Sequence, residues 1–141
     1  MGRRTWIDSK IWNDTRRLSH IEQNLYLHLL CNDNGNSAGY YQLNLAHLAL
    51  DLKVSEERLL KLLTKPNKFW VYDEETEQVL IPKYTKYNVV KGCSQETKLN
   101  RDLMELQPCR LDKLFLDAWV ECNGIGSELL IGDWFRRRIT T

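Results

Sequence analysis

In the stretch SEERLLKLLTKPNK, residues 55–68, Leu59, Leu62 and Leu63 share one helical face and leave Glu57, Arg58, Lys61 and Lys65 pointing away from it, with Lys68 just beyond. Such cations bind phosphates, and a helix that carries them can present side chains to base edges in a major groove. Arg58 and Lys61 are the candidates for base or phosphate contact. Glu56 and Glu57, at the start of the same helix, count against deep insertion, although a glutamate can accept from cytosine. The alternative is a solvated polar face on a core helix.

A second basic stretch, KYTKYNVVKG, mixes Lys83, Lys86 and Lys91 with Tyr84 and Tyr87. Interleaved cations and aromatics suit nucleic-acid backbones and bases; they equally describe a strand edge with packing tyrosines. Arg3, Arg4, Arg16 and Arg17 make the beginning basic and Arg136–Arg138 the end, all as phosphate contacts. The net charge of +1 hides this pattern. Residues 1–17 and 53–68 each hold five basic and two acidic side chains, and residues 83–101 five and one. Residues 102–128 reverse the balance, with six acids against Arg110 and Lys113. Segregation of this kind leaves room for a basic face.

The chemistry of catalysis is not visible. His20, His28 and His47 lie on separate helical segments without a zinc-protease spacing, and neither a phosphate-binding glycine loop nor a nucleophile elbow is present. Cys31, Cys93, Cys109 and Cys122 form no close pair, which reads as free buried thiols. The expectation is a non-enzyme with no metal and no cofactor. No apolar run approaches the length of about 18 residues that a membrane helix needs, and MGRRTWIDSK lacks a secretory signal, so a cytoplasmic protein is expected.

These residues must be positioned by elements the sequence also marks. With 141 residues and 43% apolar content, one domain with a real core is expected. Ser19 and Glu22 form a capping box before a helix with Ile21, Leu25 and Leu29 on one stripe. NDNGNSAG ends that helix, and Tyr40–Leu43 reads as extended. Leu45, Leu48, Ala49 and Leu52 then repeat at helical spacing, and Ser55 caps a third helix over about 55–65. The stretch FWVYDEETEQVLIPKY predicts a hairpin over about 69–83, pairing Phe69–Tyr72 with Val79–Pro82. Its tip carries Asp73, Glu74, Glu75 and Glu77, a solvated turn expected to point away from phosphates.

Helix, short strand, helix, turn, helix and hairpin is the order of a winged helix-turn-helix, with the third helix as reader and the hairpin as wing. The fold class expected is mainly α with a small β-hairpin wing, an α+β winged helix-turn-helix followed by additional C-terminal helices. The division reads as a winged-helix domain over 1–87, a helical extension over 88–123 and a tail over 124–141. KYNVVKGCSQETKLNRDLMELQ predicts one helix weakened by Gly92, and CRLDKLFLDAWVECNG a cleaner amphipathic one. The tail is too apolar for a free end and should dock on the domain or on a second copy. Trp70, Tyr72, Trp134 and Phe135 are the candidates for oligomer or partner contact.

WIDSKIW, LSHIEQNLYLHLL, SAGYYQL, LALDLKVSEERLLKLL and IPKYTKYNVVKG, in that order over about residues 5–95, resemble the N-terminal winged-helix domain of phage replisome organisers. These are relatives of the DnaD-type primosome proteins of Gram-positive bacteria. The resemblance implies a protein that binds phage or origin DNA, self-associates through the winged helix, and helps to deliver host helicase loader and helicase. The partners expected are duplex DNA, with single-stranded DNA as a second form, and further copies of the chain. Longer members carry a separate C-terminal domain for which this chain has little room. Two alternatives stay open: a winged helix that serves protein assembly without binding DNA, and a transcriptional regulator.

Overall fold

The computed structural model describes residues 5–32, 35–90 and 92–138. A first short helix, α1 (Ile11–Asp14), precedes α2 (His20–Cys31). At the start of α2 the Ser19 hydroxyl accepts from the Glu22 amide, and the Glu22 carboxylate accepts from the Ser19 amide and hydroxyl. Strand β1 (Tyr40–Gln42) follows, then α3 (Leu45–Leu52) and α4 (Glu56–Thr64). Only Lys53, Val54 and Ser55 separate these two helices. Lys53 takes a left-handed conformation that stops α3, and the Ser55 hydroxyl accepts from the Arg58 amide to start α4.

Strands β2 (Val71–Asp73) and β3 (Gln78–Leu80) form the hairpin, and β1 pairs with the far side of β3, giving an antiparallel sheet in the order β1-β3-β2. Val71, Tyr72 and Asp73 face Leu80, Val79 and Gln78. The pairing therefore starts later than the sequence predicts. Phe69 and Trp70 lie outside the ladder because both their amides donate to the Asn67 side chain, which holds the chain in a turn.

Beyond the hairpin the single helix expected after Lys86 is two. The short α5 (Tyr84–Tyr87) ends at Asn88, and α6 (Cys93–Met104) starts after Gly92, whose φ of 83° breaks the run. Next come α7 (Leu111–Asn123), a 3-10 turn over Ser127–Ile131, and α8 (Gly132–Arg138). The fold is mostly helical with one small three-stranded antiparallel sheet.

That sheet is covered on both faces. Tyr41, Tyr72, Val79 and Ile81 join Leu25, Leu29, Leu48, Leu59 and Leu63 in one core. Tyr40 and Leu80, their neighbours in sequence, face the other way and pack with Leu103, Phe115, Trp119, Ile131 and Trp134 in a second core. Period-two alternation places successive residues on opposite faces, so each strand serves both cores. The C-terminal helices thus pack against the hairpin itself. Among the described residues no helix is long and apolar enough to cross a membrane. The cysteines are free but not buried as expected: Cys31 and Cys93 are exposed, Cys109 and Cys122 half-buried.

Candidate nucleic-acid interface

The side chains of α4 divide as its spacing predicts. Leu59 and Leu63 are buried, Leu62 is half-buried, and Glu56, Glu57, Arg58, Lys61 and Lys65 are exposed. Lys61 pairs with Glu57 one turn earlier, Nζ to Oε1 at 3.7 Å, with both side chains mostly in water. Such a pair holds the lysine loosely. Lys65 has a different task. Its ammonium lies 3.4 Å from Oε2 of Glu22, tying the end of α4 to the cap of α2. Burial pushes the Glu22 carboxyl up, but the Ser19 hydrogen bonds and Lys65 outweigh it, and its pKa falls below the usual value.

Charge is uneven around α4. A cleft at its N-terminal end is lined by Glu56, Glu77, Asp102 and Glu105, with Lys98 as the opposing cation. Burial, with Glu105 adding to it, raises the Asp102 pKa. Phosphates are repelled from this end. The cations Arg58, Lys61 and Lys65 all lie beyond it along the helix.

The hairpin tip departs from the expected solvated turn at one residue. Glu74, Glu75 and Glu77 are exposed, but Asp73 is only 7% exposed. Its Oδ2 accepts from the hydroxyl and the amide of Thr76 at 2.6 and 3.1 Å, and its Oδ1 lies 3.3 Å from Nε of Arg110. The Thr76 hydroxyl, then its amide and the Arg110 guanidinium, overcome burial and hold the Asp73 pKa below its ordinary value. Arg110 also donates to the Tyr72 carbonyl. One acid of the tip is therefore a clasp between the hairpin and the start of α7.

Three of the four residues expected at a partner interface are interior. Trp70 is 1% exposed and donates its indole N–H to the Leu63 carbonyl. Tyr72 is buried against the first core, which raises its hydroxyl pKa to about 12. Trp134 meets Phe115 edge-on at 5.2 Å in the second core. Their apolar surface is spent inside this chain, so none is open to a second one. Phe135 is half-buried against the same core.

The remaining basic positions fall in three places. Arg16 and Arg17 are exposed after α1, and Arg16 donates to the Asn13 side chain. Lys68, Lys83 and Lys86 are exposed and line one cleft, the C-terminal end of the first basic stretch meeting the start of the second. Arg3, Arg4 and Lys91 lie outside the described residues. At the other end Arg136 pairs with Asp133, while Arg138 turns inward to Asp112 and the Met104 and Leu106 carbonyls.

The cleft shared by Lys68, Lys83 and Lys86 has an aromatic wall of which the residue spacing foretells only Tyr84 and Tyr87. Tyr26, Phe69, Tyr84 and Tyr87 line it together with Trp6 and Ile7 from the N-terminal segment. Two bonds hold that segment in place: the Trp6 amide donates to Asn88 Oδ1 at 2.6 Å, and Asn88 Nδ2 donates to the Trp6 carbonyl at 3.2 Å. Two contacts to backbone leave no pattern in residue types. Among the described residues no group of three or more metal-ligating side chains comes together. In comparisons with known proteins, no family model, no curated protein and no solved structure matches this chain.

Proposed function

We propose that this chain is a winged-helix DNA-binding protein of phage or plasmid-type replication initiation, working in the bacterial cytosol. The observation that carries the reading is α4: a helix set behind a three-residue turn, its leucines buried and Arg58 and Lys61 exposed. The acids at the N-terminal end of α4 direct the approach. Duplex DNA meets the middle and C-terminal part of the helix, where the cations are, and not the Glu56 end. The resemblance of residues 5–95 to replisome organisers supports a role in assembling copies on DNA and in contacting helicase loader or helicase.

Fluorescence anisotropy of a labelled duplex over a salt series tests this. Wild-type binding should weaken steeply with salt, and Arg58→Ala with Lys61→Ala should lower the slope by about 2, near 0.9 for each phosphate no longer neutralised. Equal affinity and slope in the double variant would remove α4 from the interface.

One observation favours a second reading, an assembly module without DNA contact. Glu56, Glu77, Asp102 and Glu105 surround one cleft beside α4, a surface suited to a basic protein partner. Absence of both duplex and single-stranded DNA binding at low salt would select it.

A further inference from the structure

We propose that the cleft between the N-terminal segment and α5 is a subsite for an unpaired nucleotide of single-stranded DNA. The inference rests on the nucleic-acid reading but not on α4.

The first support is the kind of surface exposed. Large aromatic rings are normally buried, yet Trp6 is 74% exposed and Tyr87 40% exposed on the same cleft. A base stacks on such rings whatever its identity. The second is charge. Lys68, Lys83 and Lys86 stand around the rings, Lys68 5.4 Å from the Phe69 ring centre and Lys86 5.4 Å from that of Tyr87. Lys68 and Lys86 are thereby held beside an aromatic surface, and cations next to stacking rings serve the phosphates of a stacked strand. Asp8 and Asp14 also line the cleft, so cations outnumber acids three to two. A carboxylate there can accept from a base amino group.

The third support is size and preorganisation. The cavity is about 220 Å³, smaller than the roughly 300–1,000 Å³ of a site for a drug-sized ligand. It suits one ring system. Its walls are tied together: Asn88 clasps Trp6, and the Thr5 hydroxyl reaches both the Leu30 carbonyl and the Tyr84 hydroxyl. Tyr26 packs on Phe69 at 5.2 Å beneath, and burial, with Tyr87 and Asp14 nearby, lifts its hydroxyl pKa to about 12.

The test compares a labelled oligo(dT) of about 12 nucleotides, within the usual range of single-strand site sizes, with a duplex of equal length. Four proteins are titrated: wild type, Trp6→Ala, Lys83→Gln with Lys86→Gln, and Arg58→Ala with Lys61→Ala. Trp6 and both lysines are exposed, so melts should match wild type. Expected is a fall of about tenfold or more in oligo(dT) affinity for Trp6→Ala, in line with the removal of one stacking ring, and weaker oligo(dT) binding with a shallower salt slope for the lysine variant, with duplex affinity nearly unchanged in both. The α4 variant should lose duplex and keep oligo(dT). Failure of duplex binding alone would sink the α4 reading and leave the subsite standing. No oligo(dT) binding by wild type, or equal binding by Trp6→Ala, overturns the subsite. Competition by dTMP as strong as by the oligonucleotide overturns it in favour of a free-nucleotide site. A dimer by light scattering that Trp6→Ala dissociates, without oligonucleotide binding, overturns it in favour of contact between copies.

Discussion

The Tyr40 hydroxyl donates to Oδ1 of Asp112 at 2.6 Å, joining β1 to α7 across 72 positions of sequence. Both groups are buried, and burial followed by the Asp112 hydrogen bond drives the tyrosine pKa far above its ordinary value. Arg138 lies 3.5 Å from the other Asp112 oxygen, and Gln78 exchanges two bonds with the Gln107 backbone nearby. A buried carboxylate deprived of a donor keeps its desolvation cost. Tyr40→Phe should therefore lower stability by about 1–3 kcal/mol, read from urea denaturation. A variant as stable as wild type would show that the bond is not made in solution.

The shared sheet makes a stronger demand. A chain ending at residue 87 would expose Tyr40 and Leu80, which α6, α7 and the 3-10 turn cover in the full chain. Urea unfolding of residues 1–141 should show one transition, and the shortened chain none that is cooperative. Two separate transitions in the full chain would mean that the two cores fold independently.

Asp73 supplies a pH dependence. Its folded pKa lies below the ordinary carboxylate value, so its contribution is fully present above the unfolded pKa and is lost as pH falls through the folded one. The window opens at about pH 4 and extends downward. Asp73→Asn should melt lower than wild type at pH 7, and the gap should close as acid is added below that point. Arg110 is 60% exposed, so Arg110→Ala should cost under about 1 kcal/mol. A gap independent of pH would assign the effect to something other than the carboxylate.

Legibility in the sequence follows the range of each interaction. The capping box of Ser19 and Glu22 spans one helical turn, and Ser55 with Leu59 and Leu63 marks α4 just as locally. At Asp73 the bonds from Thr76 are local, three residues away, whereas its cation, Arg110, and the burial that goes with the clasp lie far along the chain. The covered second face of the sheet does leave a signal. Val79, Leu80 and Ile81 are consecutive apolar residues, and Tyr40 and Tyr41 adjacent aromatics, as a strand buried on both faces requires. Weighing that run against the alternation of a half-exposed wing places Tyr72 inside, whereas Trp70, in the turn before β2, and Trp134, on α8, leave no such signal. The aromatic cleft is legible in part, through the interleaved lysines and tyrosines of residues 83–87, but the place of Trp6 is not, since it is held there by the side chain of Asn88 through backbone contacts alone.

Lys65 separates structural from functional cations. Ser19→Ala removes the two bonds of the Ser19 hydroxyl to Glu22, the cap among them, and keeps the one from the Ser19 amide, at a cost of about 1–2 kcal/mol. Lys65→Ala leaves the cap and removes only a pair whose lysine is 61% exposed, which should cost less than about 1 kcal/mol. Arg58→Ala should leave the melt unchanged. Thermal melts of the three proteins check the ranking, and a Lys65 variant less stable than the Ser19 one would reverse it.

Gly39 holds the last strand–helix approach. Its φ is +69°, and a Cβ placed there would lie 2.3 Å from Cβ and 2.6 Å from Cγ of Tyr84. Tyr84 begins α5, and its ring lines the aromatic cleft. Gly39→Ala adds a left-handed alanine, at about 1–2 kcal/mol, and an overlap, at about 1–3 kcal/mol. The control is Gly126→Ala, at φ +89° with nothing within 4 Å, which carries only the backbone part. The Gly39 variant should therefore melt well below the Gly126 variant. It should also bind oligo(dT) more weakly, because the overlap is relieved by moving Tyr84 and with it Lys83 and Lys86. Equal melts for the two variants would show that β1 and α5 do not approach this closely.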